Sequence, residues 1–205
     1  MRERLIIIGA SGQGKVVADI AINLKKWKTI AYLDDNKTIS SCMGYPVIGK
    51  TNDFLSFLED SDFCIAIGDN RTRQSIFEIL DNKNASIVSL IHPSSTIGSF
   101  VEIGKGTVIM AGVVVNACTK IGKACIINTS SSVDHDNILG DFVHISPGAH
   151  LAGNVSIGTR TWIGLGSSII QNVSICEDVI IGAGSVVLKN IIKDGTYVGT
   201  PGRKI

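Results

Sequence analysis

The chain has 205 residues, 44% hydrophobic and 18% charged, which is enough apolar material for one full core or two modest ones and excludes a disordered chain. Its 19 Lys and Arg against 18 Asp and Glu leave a formal net charge of +1 with no basic run, which excludes nucleic acid or an anionic membrane surface as the main partner. Small polar or phosphorylated ligands remain open.

At the N-terminus, MRERLIIIGASGQG carries charges and then a short apolar run broken by glycine. That run is too short for a signal-peptide core or a spanning helix, so a soluble, cytoplasmic protein is expected. The five cysteines, Cys42, Cys64, Cys118, Cys125 and Cys176, are odd in number, scattered and never arranged as CxxC. They read as reduced, mostly buried thiols, favoured over a disulfide framework, a zinc ribbon or a catalytic Cys–His pair.

Residues 1–90 read as a small α/β domain. Leu5 to Ile8 form a buried strand, a glycine turn follows, and Val16, Val17, Ile20, Ala21 and Leu24 then recur at helical spacing. A second strand, TIAYLDD, ends in Asp34 and Asp35, and a third, FCIAIGDN, runs to Gly68. A helix with Ile76, Phe77 and Leu80 comes next, and ASIVSLI closes the domain. Ligands of parallel sheets collect at the carboxyl ends of the strands, where Gly9 to Gly14, Asp34, Asp35 and Gly68 to Asn70 all fall.

The stretch GASGQGKV places Gly9, Gly14 and Lys15 as GxxxxGK does, but Val16 stands where a Ser or Thr hydroxyl would hold magnesium. A nucleoside triphosphatase is thereby excluded. Glycines at 9, 12 and 14 also miss the GxGxxG spacing, although N–H groups at a helix start can hold a diphosphate. The paired aspartates can accept hydrogen bonds from a ribose or a base. A tight turn and a capped loop are the structural alternative.

The second half is a repeat. Stepping by six from Ile97 through Ile103, Ile109 and Val115 to Ile181 and Val187, all sixteen residues are Ile, Leu or Val. The position two residues earlier is small or β-branched almost throughout, as at Thr107, Val113, Thr119, Cys125 and Ser131, and Gly often follows the aliphatic. Neither a helix nor an alternating strand has a period of six. The pattern predicts a parallel β-helix of triangular section, one hexapeptide per side, with about five coils rising about 24 Å. No insertion breaks the register, so a site must be built on the flat outside and completed by another subunit, which predicts a closed threefold homo-oligomer.

Three of the four histidines, His135, His144 and His150, lie in SSSVDHDNILGDFVHISPGAHLAGNV. Hexapeptide prisms of the carbonic anhydrase kind bind zinc through histidines spaced HxxxxH, whereas the gaps here are nine and six. No metal is expected. His150 reads as a surface residue and His92 as part of the junction between domains.

The whole chain, with its GxxGxG turn, LDD and AIGDN, then uninterrupted hexapeptides bearing NTSSSVDHD, VHIS and HLAGNV, and a VGTPGRKI end, resembles the sialic-acid O-acetyltransferase and bacillosamine-type sugar N-acetyltransferase family. The resemblance implies a Rossmann-like nucleotide-sugar-binding domain over 1–90 and a left-handed β-helix acetyltransferase domain over 91–205. It also implies a homotrimer with acetyl-CoA between adjacent prisms. Carried over, it makes His135 the general base, oriented by Asp136, and sets His144 and the Gly153 N–H against the acetyl group and pantetheine arm. Leu165 and Ala183 would lie further along the CoA path. Gly12, Gln13, Gly14, Asp34, Asp35 and Gly68 would hold the nucleotide sugar. The family commonly has His where this chain has Gln13, which can donate a hydrogen bond but carries no charge.

The residues give His135 independent support. Eighteen positions on, one coil later, stands Gly153, whose missing side chain leaves room for an acetyl carbonyl and whose N–H can meet a developing oxyanion. Histidine titrates where a base for amine attack must work, and an adjacent carboxylate favours the imidazolium. Asp134 and Asp136 are both adjacent, and sequence does not choose between them. The expected activity is acetyl-CoA-dependent N-acetylation of a nucleotide-linked 4-amino-sugar. The alternatives are sugar O-acetylation of the sialic-acid type and a non-catalytic sugar-nucleotide binder, and the intact His135, Asp136 and Gly153 stand against the latter.

Overall fold

Continuous aliphatic runs become strands buried on both faces, and the first of them, β1 (Arg4–Ile8), is the centre of the first unit in the computed structural model, which describes residues 2–205. The chain divides into two units, Met1–Pro93 and Ser94–Ile205. In the first, β1 is followed by α1 (Gly12–Leu24), β2 (Thr29–Leu33), β3 (Ser41–Cys42), β4 (Tyr45–Gly49), β5 (Ser61–Ile65), α2 (Asn70–Asn82) and β6 (Ser86–Ile87). The sheet order is β3-β4-β2-β1-β5-β6, parallel except for β3 against β4. Ile8 lies opposite both Leu33 and Ile65, so the turns after β1, β2 and β5 emerge at one edge of the sheet.

The β3–β4 hairpin and a 3₁₀ helix at Thr51–Phe57 are absent from the sequence reading. β4 alternates between half-buried and exposed and so lacks the apolar run that marks the inner strands. ASIVSLI resolves into β6 and a separate two-residue strand, Leu90–Ile91.

The second unit is a left-handed parallel β-helix of two-residue strands, each paired with the strand eighteen residues away. One face carries Val108–Ile109, Ile126–Ile127, His144–Ile145, Trp162–Ile163 and Val179–Ile181. The next carries Val114–Val115, Ser132–Val133, His150–Leu151 and Ser168–Ile169, and the third Lys120–Ile121, Ile138–Leu139 and Ser156–Ile157. From Ile109 to Val187 every sixth residue is at most 4% exposed, while Ile97 and Ile103, in the first coil, are half-buried. Each such burial is worth about 1.5–3 kcal/mol, so the prism is held by its stacked aliphatic columns.

The corners obey a second rule of period six. From Phe100 to Gly184 every sixth residue has φ between +46° and +77°, so each coil turns through the left-handed region at a fixed phase. Several of these positions are Gly, Asn or Asp, which tolerate that conformation; Phe100, Cys118, Ala124, Ser130, Phe142 and Arg160 adopt it regardless. The glycines after the aliphatics serve a different end: a Cβ on Gly122 would stand 2.6 Å from the Gly140 carbonyl carbon and one on Gly140 2.8 Å from the Thr159 nitrogen, so bare backbone lets the coils stack.

Of the cysteines, Cys42, Cys64 and Cys125 are buried, Cys176 is half-buried and Cys118 is exposed. Burial pushes the Cys64 thiol up to about 12, which removes it as a nucleophile. Among the described residues no helix is long and apolar enough to cross a membrane.

Candidate active site

His135 lies between Ser132–Val133 and Ile138–Leu139, at the corner where the second face gives way to the third. Its imidazole Nδ1 is 2.7 Å from Asp136 Oδ2, and both side chains are about 60% exposed. Asp136 occupies the left-handed corner position, φ 58°, which aims its carboxylate back at the preceding ring. Asp134 is engaged elsewhere: its Oδ1 accepts the His135 backbone N–H at 2.9 Å and the Asn116 amide at 2.7 Å. The structure therefore chooses Asp136 as the partner of the ring.

The Asp136 hydrogen bond, with the charges of Asp134 and Asp136, holds the His135 imidazolium above the ordinary histidine value. The Asn116 hydrogen bond and the His135 N–H hold the Asp134 carboxyl below its ordinary value. Asn116 is one coil before Asp134, a partnership that a spacing of eighteen would have revealed.

Gly153 lies one coil after His135, but no open notch separates them. A Cβ on Gly153 would stand 2.6 Å from His135 Cε1 and 2.7 Å from Nε2, so the ring itself lies across the glycine. The expected room for a carbonyl is thus filled by the imidazole, and the missing side chain fixes where the ring rests. The Gly153 N–H donates to no group among the described residues, although its carbonyl accepts from Asn172 at 3.1 Å.

His144 is on the first face, opposite that corner in the triangular section. It is buried, stacked on Trp162 one coil later with centroids 5.3 Å apart and planes within 5°, and its Nε2 lies 3.2 Å from the Asn128 amide. Trp162 donates from Nε1 to Ser146 Oγ at 2.7 Å and leaves 41% of its surface exposed. The sequence reading missed Trp162 and Asn128; Trp162 follows His144 by one coil. Leu165 and Ala183 are exposed on neighbouring turns, and Gly164 beside Leu165 stacks closely on Ala183. His150 is exposed and bonded to Ser132 Oγ at 2.8 Å. Among the described residues no group of three His, Cys, Asp or Glu side chains is placed to hold a metal.

At the carboxyl edge of the first unit's sheet the glycines divide into two kinds. Gly9, φ +104°, and Gly14, whose Cβ would strike the Gly9 carbonyl, are required by the turn itself. A Cβ on Gly12 or Gly68 would meet nothing within 4 Å, so packing does not demand glycine there and the bare backbone faces open space. Gln13, in the first turn of α1, has a buried Nε2 that makes no hydrogen bond among the described residues. Ser11 at the N-cap makes no side-chain cap, so the first N–H groups of α1 are not covered from that side.

Asp34 holds this turn: its Oδ2 accepts the Ala10 N–H at 2.7 Å and its Oδ1 the Asn36 N–H at 2.8 Å. The exposed Asp35 accepts the Thr51 N–H at 3.0 Å. The loop after β5 is fixed by Arg73, a residue the sequence reading did not single out. Its buried guanidinium donates to Ile67 O at 3.0 Å, Gly68 O at 2.9 Å and Asn70 Oδ1 at 2.7 Å. Asp69 caps α2 through the Thr72 N–H and hydroxyl, which hold its carboxyl below the usual range.

Residues 4–80 match the family described as the PglD N-terminal domain. The chain is 36% identical over 114 residues to UDP-N-acetylbacillosamine N-acetyltransferase of Bacillus subtilis (strain 168), a match that spans 53% of this chain and about half, 52%, of that relative. The acetyltransferase domain of PglB from Neisseria gonorrhoeae FA1090, solved in complex with acetyl coenzyme A, matches over the whole of both chains with 40% identity and a TM-score of 0.97. PerB from Caulobacter crescentus, solved in complex with CoA and GDP-perosamine, matches over 97% of this chain and 95% of its own with 37% identity and a TM-score of 0.91.

Proposed function

We propose a function that proceeds from family: the chain belongs to the PglD-type sugar N-acetyltransferases, and we infer that it transfers the acetyl group of acetyl-CoA to the amine of a nucleotide-linked 4-amino-sugar. The observation that carries this reading is the His135 ring, hydrogen-bonded to Asp136 and laid across Gly153.

With Nδ1 given to Asp136, Nε2 is the ring nitrogen left for substrate. The amine attacks the thioester carbonyl carbon, a C–N bond forms, and Nε2 takes the amine proton. The carbonyl oxygen, now negative, accepts the Gly153 N–H. The C–S bond then breaks and the imidazolium returns the proton to the CoA sulfur as thiol. Asp136 steadies the cation in between, in keeping with the raised His135 pKa.

His144, Leu165 and Ala183 would hold acetyl-CoA. His144 is on the side of the prism away from His135, so the two sets of groups meet only if neighbouring prisms pair, and a homotrimer is the assembly this reading requires. Gly12, Gln13, Gly14, Asp34, Asp35 and Gly68 would hold the nucleotide sugar. The buried, unbonded Gln13 Nε2 fits a donor to a sugar or phosphate oxygen, and the uncapped start of α1 suits a diphosphate.

The test is thiol release from acetyl-CoA over UDP-, GDP-, dTDP- and CMP-linked sugars with and without a free amine. Release only with an amine acceptor is expected. Equal release with hydroxyl-only sugars would make the protein an O-acetyltransferase, and no release with any of them would return it to the sugar-nucleotide binders.

A further inference from the structure

The position two residues before each inward aliphatic holds a small or β-branched residue all along the prism, except at Asn137. At Thr107, Thr119, Thr161 and Ser167 one hydroxyl ties two coils. Thr107 donates to Gly122 O at 2.8 Å and accepts from Cys125 N at 3.0 Å, and Thr161 and Ser167 repeat the pattern. Val at the same phase makes no such tie, and both kinds fold.

Asn137 does more. It is wholly buried, and its Oδ1 accepts the Val155 N–H at 2.7 Å while its Nδ2 donates both to Ala152 O at 3.0 Å and to Asp134 O at 2.6 Å. Asp134 and Ala152 are the residues immediately before His135 and Gly153. One planar amide therefore bridges the two corners that hold the ring and the glycine beneath it. Thr119 supplies a second donor to Asp134 O at 2.7 Å.

We propose that Asn137 is a positioning residue, which sets the height and tilt of His135 over Gly153 by clamping the backbone just before each. The inference rests on the reading of His135 as the general base. Stability alone does not call for an amide, since Thr and Val serve the same phase in other coils. A hydroxyl makes one bond or the other: at Thr107, Thr161 and Ser167 it reaches the next corner's carbonyl, and at Ser131 it turns back to Asn128 O in its own coil at 2.7 Å, whereas the Asn137 amide donates to both corners. An amide has the extra donor and the length to do so.

The test compares Asn137→Thr and Asn137→Val with His135→Ala in the full chain. Threonine keeps the tie between coils and loses only the bond to Asp134 O; valine loses all three. Both are expected to fold, with unfolding midpoints within a few degrees of the parent. We expect kcat to fall about 10-fold for Thr and about 100-fold for Val, the scale of an ångström-sized misplacement, with KM for both substrates within about twofold. NMR titration of the His135 ring should show its pKa moving down toward the ordinary value, as contact with Asp136 loosens. Two folded variants with parental kcat and an unmoved His135 titration overturn the proposal, as does a loss confined to the unfolding midpoint. If His135→Ala itself keeps full turnover, the general-base reading fails instead, and the ring titration still reports whether Asn137 positions the ring.

Discussion

The corner at His135 and the face at His144 are nine residues apart in one repeat, yet they are built in opposite ways. At the corner the ring is exposed, tethered by a carboxylate and rested on a glycine; on the face it is buried, stacked on Trp162 and bonded to Asn128. A solenoid repeats its packing, so its faces reward stacking of like on like and its corners tolerate departures. On the proposed reading of His135, chemistry that needs an uncrowded base is placed where the repeat is free to vary, while the ring that stacks on a fixed wall lies on a face.

The sharpest way to break this contrast is to remove the ring at the corner. His135→Ala should lower kcat by about 10² to 10⁴, the usual worth of a general base, and leave the unfolding midpoint unmoved because the side chain is exposed. Parental turnover would sink the reading.

Next in size is Gly153→Ala. The new methyl would stand 2.6 Å from the imidazole, and because no left-handed backbone is required at 153 the strain falls on the ring alone. The ring is the free end of a side chain and can swing away, so the fold should survive. Activity should fall about 10- to 100-fold, with acetyl-CoA affinity little changed. A large drop in unfolding midpoint with parental kcat would show that the glycine serves packing only.

How much of this was legible follows the same division. The period of six spelled out the inward columns, because a buried aliphatic stack admits few alternatives at any position. The spacing of eighteen brought His135 to Gly153 and puts Trp162 on His144. It did not say that the ring fills the space above the glycine, since side-chain direction at a corner depends on φ. Nor could it choose between Asp134 and Asp136, equally near in sequence and separated only by the left-handed turn at 136 and by Asn116. In the first unit the inner strands were plain, while the β3–β4 hairpin, half-exposed and short, carried no hydrophobic signal. Asp34 and Arg73 act by hydrogen bonds to backbone, which no residue pattern displays.

A third, smaller effect tests the face. His144→Ala removes a buried ring and its stack, and should cost about 1–2 kcal/mol of stability. KM for acetyl-CoA should rise no more than about tenfold, with kcat less affected. His135→Ala and His144→Ala should therefore separate: one loses rate without stability, the other stability and affinity without comparable rate. Two variants with the same profile would erase the distinction between corner and face.

The smallest effect is the most specific, because it concerns one hydrogen bond. A general base works only when unprotonated, and Asp136 raises the pKa of His135, so kcat/KM should fall away as pH drops through a value above the ordinary 6.5 of histidine. Asp136→Asn keeps an oxygen for Nδ1 and suits the left-handed backbone at 136, since asparagine tolerates that conformation; only the charge is lost. The imidazolium then loses its main stabiliser, and the acid limb should move to lower pH by about one unit or less, because the Asp134 charge remains. The high-pH plateau should fall modestly, since a weaker base transfers the proton less readily. Asp134→Asn should shift the limb less, its carboxylate being bonded to Asn116 and to the backbone N–H of His135. If Asp134→Asn moves the limb further than Asp136→Asn, the carboxylate that tunes the base is Asp134, and the left-handed turn at 136 has another purpose.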